Sequence, residues 1–205
     1  EPDFGTGMVI VLTLVSLIFV SGVKISFFVK IGLLGLMGIV VLIIVAPYRM
    51  ARIVSFLNPW TDPLGSGFQI IQSLYAIGPG GLLGQGFLKS HQKHFYLPEP
   101  QTDFIFSIIS EEFGFLGVLI VTLFFLFIFY RSVKIALNTN DLFSKFLVFG
   151  LAVGIIFQAS LNLCVVIGLI PVTGVTLPFF SYGGSSLLIS MLSIGIILGV
   201  SRYGK

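Results

Sequence analysis

The hydrophobic positions of the chain come in long, nearly uninterrupted blocks separated by polar connections. Each block approaches the roughly 20 residues that a helix needs to cross the hydrocarbon of a bilayer. The five blocks with their flanks cover residues 7–28, 31–46, 104–130, 146–170 and 187–200. The pattern predicts an all-α membrane protein, a polytopic bundle of five transmembrane helices.

The largest polar connection, residues 47–102, predicts a long loop with structure of its own. Residues 58–63 read Asn-Pro-Trp-Thr-Asp-Pro, which is typical of turns and includes a tryptophan suited to the membrane interface. Residues 67–74 place apolar side chains among glutamines and a serine, a pattern typical of a short helix at the bilayer surface. The glycines of residues 78–86 allow the backbone to approach a ligand or another helix closely.

Composition supports a membrane protein and excludes other classes. The chain has 205 residues, 56% of them hydrophobic and 9% charged, with a mean hydropathy of +1.10. Cys164 is the single cysteine, so an intrachain disulfide framework is excluded. The net charge of +3 comes without a basic cluster, so no nucleic-acid partner is expected. The chain begins Glu-Pro-Asp without a signal peptide, and we expect it to be a piece of a longer protein.

Basic residues fall unevenly on the two sides of the predicted bundle. One side has seven and the other four, so the positive-inside rule places the first side in the cytoplasm. The N-terminus, the long loop and the connection at 171–186 then face outward. The cytoplasmic residues are Lys24, Lys30, Arg131, Lys134, Lys145, Arg202 and Lys205, and the outer ones are Arg49, Arg52, Lys89 and Lys93.

A carboxylate stands where the long loop becomes the third apolar block. Thr102 is a plausible N-cap residue, and Asp103 is then predicted in the first helical turn, where the helix dipole favours the ionised form. An acid beside a membrane helix is a candidate functional group. A plain capping role explains the same residues equally well.

Two further pairs of polar residues lie on predicted membrane helices. Glu111 and Glu112 fit the solvated outer end of the third helix. Gln158 and Asn162 are four residues apart and therefore share one face of the fourth helix, pointing into the bundle. Such amides most often join neighbouring helices by hydrogen bonds, which makes a structural role the plainer interpretation.

The remaining chemistry leaves two classes of function. His91 and His94 lack a third metal ligand at a recognisable spacing, and the sequence has neither a nucleophile triad nor a phosphate-binding loop. An outward carboxylate serves either a transporter, which shuttles a proton, ion or amine, or an enzyme with a general base for a lipid-borne substrate. A transporter needs charge at mid-membrane. The nearly uncharged middles of these blocks favour an enzyme.

Four ordered blocks of the chain resemble the SEDS family (shape, elongation, division and sporulation), which includes FtsW, RodA and SpoVE. Residues 168–186 read Gly-Leu-Ile-Pro-Val-Thr-Gly-Val-Thr-Leu-Pro-Phe-Phe-Ser-Tyr-Gly-Gly-Ser-Ser. Residues 97–106 read Leu-Pro-Glu-Pro-Gln-Thr-Asp-Phe-Ile-Phe, followed by Glu-Glu-Phe-Gly at 111–114. The others are Pro-Asp-Phe-Gly-Thr at 2–6, and Asn-Pro-Trp at 58–60 with Gln-Ser-Leu-Tyr-Ala-Ile-Gly at 72–78. Gln-Lys at 92–93 and Phe-Tyr-Leu at 95–97 are most similar to the FtsW/SpoVE branch.

The resemblance implies a bacterial peptidoglycan glycosyltransferase. Such a protein uses lipid II as donor and acceptor, polymerises it on the outer face of the cytoplasmic membrane, and works with a class B penicillin-binding protein among the membrane lipids. Five spans make residues 1–205 the C-terminal half of the membrane domain, so residues outside this chain complete the cavity. A lipid II flippase and a scaffold for the penicillin-binding protein are the alternatives. Division, elongation and sporulation all stay open as roles.

The resemblance also assigns residues. Asp103 matches the essential acid of the family's Thr-Asp-Phe block and would act as general base. The lipid diphosphate needs positive charge from Lys89, Lys93, Arg49 or Arg52, or from a divalent cation, Mg²⁺ or Mn²⁺. Six residues either present hydroxyls and amides to the substrate or shape the start of the last helix: Ser181, Tyr182, Gly183, Gly184, Ser185 and Ser186. The other cavity candidates are Asp3, Glu99, Thr102, Gln158 and Asn162.

Overall fold

The computed structural model describes residues 4–45, 56–65, 67–95, 97–98 and 100–203, and their regular structure is helical. The described α-helices are α1 (Phe4–Val20), α2 (Ile25–Val45), α3 (Phe68–Ile77), α4 (Gln92–Phe95), α5 (Ile105–Asn138), α6 (Leu142–Val166) and α7 (Gly184–Tyr203). Short 3₁₀ turns occupy Pro59–Thr61 and Gly78–Gly80. The predicted candidates Asp3, Arg49, Arg52 and Glu99 lie outside the described residues.

Three of the described helices are long and apolar enough to cross a membrane. They are Ile105–Asn138, Leu142–Val166 and Gly184–Arg202. The stretches Gly5–Val20 and Ile25–Gly38 are apolar but shorter. The prediction of an all-helical protein with membrane-length helices is confirmed, and the count of five spans stays a prediction.

The helices end at other residues than the hydrophobic blocks indicated. The first block was predicted to run to residue 28, but α1 ends at Val20, because Gly22 takes a positive φ of 87° that breaks the helix. Arg131 and Lys134 were predicted to end the third block. The helix itself continues to Asn138, since long basic side chains can reach water from within a helix, and the end of the membrane span stays a prediction.

Helix α6 begins at Leu142, ahead of the predicted residue 146, because Asp141 caps it. The Asp141 carboxylate accepts hydrogen bonds from the backbone N–H of Ser144 (2.8 Å) and from its hydroxyl (2.6 Å). These two hydrogen bonds hold the pKa of Asp141 below its ordinary value of 3.8, and the bond from the Ser144 hydroxyl has the larger effect. The sequence reading missed this cap because it followed hydropathy, and residues 142–145 mix apolar with polar side chains.

Replacing Asp141 by alanine is expected to lower the melting temperature of the full-length protein at neutral pH, since the first turn of α6 loses its cap. A lowered pKa in the folded state means that the charge stabilises the fold above pH 3.8, and that this stabilisation disappears as the pH falls through the lowered value. The difference between wild type and variant in thermal melts should therefore shrink in acid. The neighbouring exposed Asn140→Ala is the matched control, and an equal effect of both substitutions would contradict the assignment.

Helix α6 is the centre of the bundle and packs against α1, α5 and α7. Small residues let α1 approach it: a Cβ on Gly150 would lie only 3.0 Å from Leu17 Cδ1, and one on Gly154 3.7 Å from Thr13 Oγ1. The main buried cluster joins side chains of α5 and α6, including Val121 and Phe125 with Ile155 and Ala159.

The short turn between α5 and α6 fixes which residues of the two helices lie side by side. Asn138 ends α5 and Leu142 begins α6. Because the two helices are antiparallel and have the same rise per residue, residues that lie the same number of positions from this turn lie at the same height along the pair. This counting puts Asn162 level with Val118. The shared cluster of Phe125 with Ile155 agrees with it.

Candidate functional site at the Asp103 turn

Asp103 lies in a turn that precedes α5 and not in the helix itself. The N-cap position belongs to Phe104 and has no side-chain cap, and the first turn of α5 contains no acid. The predictions of Thr102 as N-cap and of Asp103 in the first helical turn are therefore wrong. The reason is tertiary: the backbone of residues 101–103 is bonded to other segments of the chain.

Three consecutive carbonyl groups of this turn accept hydrogen bonds from distant residues. The oxygens of residues 101, 102 and 103 accept, in that order, from Tyr182 N (2.7 Å), Ser181 Oγ (2.5 Å) and Asn162 Nδ2 (2.7 Å). Side chains from α6 and from the segment before α7 thus hold the backbone of Asp103 in place.

The irregular segment 167–183 is bound by the side-chain amides of Asn162 and Gln158 on α6. Asn162 Nδ2 also donates to Val175 O at 2.7 Å, and Gln158 Nε2 donates to Thr176 O at 3.0 Å and Ser186 Oγ at 3.1 Å. A Cβ on Gly174 would lie 3.7 Å from Asp103 Oδ2, so the carboxylate lies beside this segment. The two amides that were predicted to share one face of α6 therefore bind one common segment.

The Asp103 turn lies within the length of the membrane helices. Residues 113–130 of α5 carry no charge and span about 27 Å, close to the hydrocarbon thickness of a bilayer. Asn162, and with it the Asp103 turn, is level with Val118, about 8 Å inside the end of that uncharged stretch. We call this level membrane depth.

A break in α5 makes this position possible. Gly114 has φ 61° and ψ −156°, values outside the helical region and open in practice only to glycine. Continued straight, α5 would carry Asp103 about 22 Å beyond Val118. The break instead bends residues 105–113 so that Ser107 lies near the end of α6, where Ser73 Oγ bonds both Ser107 Oγ (2.8 Å) and Val166 O (2.7 Å).

Irregular backbone at membrane depth is tolerated where protein satisfies it or where it lines a polar cavity. Here protein groups satisfy the carbonyls of residues 101–103. Two buried oxygens of this region, Asn162 Oδ1 and Thr173 Oγ1, have no hydrogen-bond partner among the residues that the structure describes. Buried acceptors are nearly always paired, so these two atoms can receive donors from water or from a bound ligand. Together with the half-buried Asp103 they make the turn a candidate binding site.

The six candidate residues from 181 to 186, before and at the start of α7, differ in their exposure to solvent. Ser181 is buried, and its hydroxyl donates to Thr102 O and accepts from Leu177 N at 2.7 Å. Ser186 accepts from Thr176 Oγ1 at 2.9 Å as well as from Gln158. These two hydroxyls hold the fold. Tyr182, Gly184 and Ser185 are exposed and Gly183 is half-buried, and contact of any of the six with substrate stays a prediction.

Glu111 and Glu112 are not at a solvated helix end, so that prediction is wrong. They are only 1% and 5% exposed, because residues 80–91 cover this part of α5. The Glu111 carboxylate accepts from Ser90 Oγ (2.5 Å) and His91 N (2.9 Å). Lys89 and Lys93 are exposed on the same segment, and Lys93 N donates to Ser90 Oγ at 3.0 Å. Their proposed contact with a diphosphate stays a prediction.

The described residues do not by themselves specify a divalent-cation site, and the Mg²⁺ or Mn²⁺ expected from the resemblance stays a prediction. Among them no group of three or more His, Cys, Asp and Glu side chains is placed to hold a metal ion. Both oxygens of Glu111 already accept hydrogen bonds from the protein. The reaction proposed below therefore contains no step at a metal ion.

Comparison with known proteins identifies the family. A family model for FtsW, RodA and SpoVE, described as "Cell cycle protein", matches residues 1–205. The chain belongs to the FtsW/RodA/SpoVE family. Stage V sporulation protein E of Bacillus subtilis (strain 168) is 57% identical over 205 residues, which are 100% of this chain and 56% of that protein. A probable peptidoglycan glycosyltransferase FtsW of Geobacter sp. (strain M18) is 46% identical over 98% of this chain and 55% of its own length. The chain thus spans about half the length of these FtsW/SpoVE relatives.

Solved structures agree with this membership of the FtsW/RodA/SpoVE family. One, described as "Structural coordination of polymerization and crosslinking by a peptidoglycan synthase complex", has a TM-score of 0.76 and 35% identity, covering 100% of this chain and 57% of that one. An aspartate-to-alanine mutant of the rod shape determining protein RodA of Thermus thermophilus has a TM-score of 0.50 and 36% identity, covering 64% and 40%.

Replacing Asn162 by leucine is expected to destabilise the Asp103 turn. Leucine has a similar volume but cannot donate, so the carbonyls of Asp103 and Val175 lose a shared partner in a fully buried place. Each orphaned buried group costs about 1 to 3 kcal/mol. Thermal melts of the full-length protein in detergent should show the loss. Ser160→Ala, at an exposed position of the same helix, is the control, and an equally stable Asn162→Leu would contradict the assignment.

Proposed function

We propose that the full-length parent of this chain is a peptidoglycan glycosyltransferase that polymerises lipid II into glycan strands. The observation that carries the proposal is the Asp103 turn, which holds a carboxylate at membrane depth beside the irregular segment 167–183, a region with two buried oxygens that have no partner among the described residues. Relatives named probable peptidoglycan glycosyltransferase FtsW, 44–46% identical, support the reaction class.

The position of the carboxylate suits a substrate whose tail stays in the bilayer. Lipid II carries its sugars on a lipid diphosphate, so the reacting atoms remain close to the boundary between hydrocarbon and water. A base about 8 Å inside the end of the uncharged stretch can meet such a headgroup where it enters a polar cleft between helices. A sugar without a lipid tail would stay in water and would not reach this depth.

Asp103 acts as general base in the proposed reaction. Its carboxylate accepts the proton of the acceptor sugar hydroxyl while that oxygen forms a bond to C1 of the donor sugar. The bond from C1 to the lipid diphosphate breaks, and the diphosphate leaves with the electron pair. Direct displacement from an alpha-linked donor gives a beta linkage. A positioned base contributes a factor of about 10² to 10⁴ to such a step.

Other residues would bind and orient the substrate. The departing diphosphate gains negative charge, and we assign Lys89 and Lys93 as the described cations that could stabilise it. Tyr182 and Ser185 are exposed at the start of α7 and can contact sugar hydroxyls. Asn162 and Gln158 position the surrounding backbone.

The orientation and partner belong to the same proposal. Five spans in the C-terminal half of the parent protein would place the Asp103 turn on the outer face of the bacterial cytoplasmic membrane, in agreement with the excess of basic residues on the opposite side. A class B penicillin-binding protein would cross-link the product. A related solved structure described as a peptidoglycan synthase complex supports such a partnership.

Polymerisation in detergent separates the enzyme from a flippase. The full-length protein, purified with its penicillin-binding protein, is given lipid II in micelles, which have no second leaflet to which lipid could be transported. Glycan polymer on a gel, absent when the penicillin-binding protein is supplied alone, supports the proposal. If the protein transports lipid II in vesicles but makes no polymer in micelles, the glycosyltransferase is contradicted and the flippase is supported.

A further inference from the structure

The break at Gly114 leaves four backbone groups of α5 without helical partners, and residues 81–86 supply partners for all four. Gly81 O accepts from Phe115 N at 2.9 Å, and Leu82 O accepts from Leu116 N at 3.2 Å. In return Gln85 N donates to the carbonyl of Glu111 at 2.9 Å, and Gly86 N to that of Glu112 at 3.0 Å. The loop therefore completes the helix where the helix is broken.

Glycines make this contact close enough for backbone hydrogen bonds. A Cβ on Gly84 would overlap the carbonyl of Glu112, and a Cβ on Gly114 would lie 2.7 Å from Gly80 O. Gly84 also has a positive φ of 76°. The two segments are thus packed backbone to backbone, and their depth in a membrane must be the same.

The depth follows from the uncharged stretch of α5. Phe115 and Leu116 are the third and fourth residues of residues 113–130, so the loop at Gly81 and Leu82 lies about 3 to 5 Å inside the end of that stretch. Segments that insert into a bilayer from one side commonly reach about 5 to 10 Å into the boundary between headgroups and acyl chains.

Four of the five side chains of this loop are apolar and uncovered, and the fifth, Gln85, is half-buried. Leu82, Leu83, Phe87 and Leu88 are 73%, 74%, 67% and 60% exposed. We propose that residues 81–88 form a membrane-inserted loop whose leucine and phenylalanine side chains contact the acyl chains of one bilayer leaflet. At this depth lipid is the medium that surrounds a membrane helix, and exposed leucines in lipid cost nothing, whereas in water they would form a large apolar patch.

The residues that follow the loop fit this placement. Its last residues are tied down by the buried Glu111 carboxylate, which accepts from Ser90 Oγ and His91 N. Lys89 follows Leu88 immediately and is exposed, as expected for a basic side chain that reaches from the lipid boundary to water. The inserted loop thereby stabilises the bend that places Asp103, and it does so independently of the reaction proposed above.

Nitroxide labels measure the depth directly. In a background of the full-length protein in which every native cysteine, Cys164 included, is replaced by alanine, single labels are attached at Leu83→Cys, at Ile120→Cys in the middle of the uncharged stretch, and at Asn140→Cys in the turn between α5 and α6. The protein is placed in nanodiscs of phosphatidylethanolamine and phosphatidylglycerol. The Leu83 label should collide readily with oxygen and rarely with a water-soluble nickel complex, as the Ile120 label does. Nickel access equal to that at Asn140 would overturn the proposal, and so would protection from both reagents, which indicates a protein partner on the loop.

A second measurement covers the case in which labelling disturbs the loop. Leu83→Trp in a Trp60→Phe background of the full-length protein, with any tryptophan outside this chain also replaced by phenylalanine, reports on lipid through quenching by bromine atoms attached to the acyl chains. Strong quenching supports the inserted loop. Fluorescence unchanged by brominated lipid, in a variant whose melting temperature equals that of the Trp60→Phe background, refutes it.

Discussion

Asp103→Asn in the full-length protein is expected to lower the rate of glycan polymerisation by a factor of about 10² to 10⁴, the contribution of a positioned general base. This loss corresponds to about 3 to 5 kcal/mol in the activation barrier. Asparagine keeps the size of the side chain but cannot take a proton from a sugar hydroxyl. The contacts that hold the turn use the backbone carbonyl of residue 103, so the fold should survive the substitution.

Four measurements make this result decisive. Binding of lipid II and the melting temperature of Asp103→Asn should match those of the wild type, which separates lost chemistry from lost structure. Asp103→Glu keeps a base, displaced by one methylene, and should retain more activity than Asp103→Asn. Asp141→Asn removes an exposed carboxylate at the far end of α6 and should leave polymerisation unchanged. A normal polymer yield from Asp103→Asn would refute the general base and leave transport or scaffolding as the function.

Gly84→Ala is expected to lower the free energy of unfolding by about 2 to 6 kcal/mol, the sum of backbone strain and overpacking. The strain arises because Gly84 has a φ of 76°, which side chains disfavour. The overpacking arises because the new Cβ would meet the carbonyl and nitrogen of the backbone at Glu112 and Phe113, which cannot move without losing hydrogen bonds. Thermal melts and denaturant titrations in detergent would measure the loss.

Two neighbouring glycines separate the two causes. Gly81 also has a positive φ, 52°, but nothing lies within 4 Å of a Cβ there, so Gly81→Ala should show the strain alone. Gly78 has a helical φ of −53° and open space around its Cβ, so Gly78→Ala should show only the smaller cost of a helical residue with a side chain before Pro79. The expected order of destabilisation is Gly84, then Gly81, then Gly78. An equal effect at all three positions would show that the backbone contact with α5 does not stabilise the protein.

The candidate site could be found from the sequence because its chemistry is concentrated in short motifs. Asp103 and the segment 168–186 were both recognised from consecutive residues, and Gln158 with Asn162 from helical spacing. What could not be predicted is that these pieces bind one another. Asn162 and residue 103 are 59 positions apart, and Ser181 and residue 102 are 79 apart, so only folding brings them together.

The errors share one physical cause. Hydropathy describes the average environment of a segment, and it predicted Glu111 and Glu112 as a solvated helix end. Their burial depends on the loop of residues 80–91, which covers them through backbone hydrogen bonds that no side-chain pattern encodes. The glycines at 80, 84 and 114 were the available signal, because close backbone approach requires them.

The sequence by itself determined that this protein lies in a lipid bilayer and which class of function its polar residues indicate. Long uncharged blocks must leave water, and an isolated carboxylate between such blocks must have a use or a partner. Only the tertiary structure decided the depth of that carboxylate. The position of Asp103 depends on a helix broken at Gly114, and a break at this depth is stable because a distant loop bonds the four backbone groups that the break leaves without helical partners.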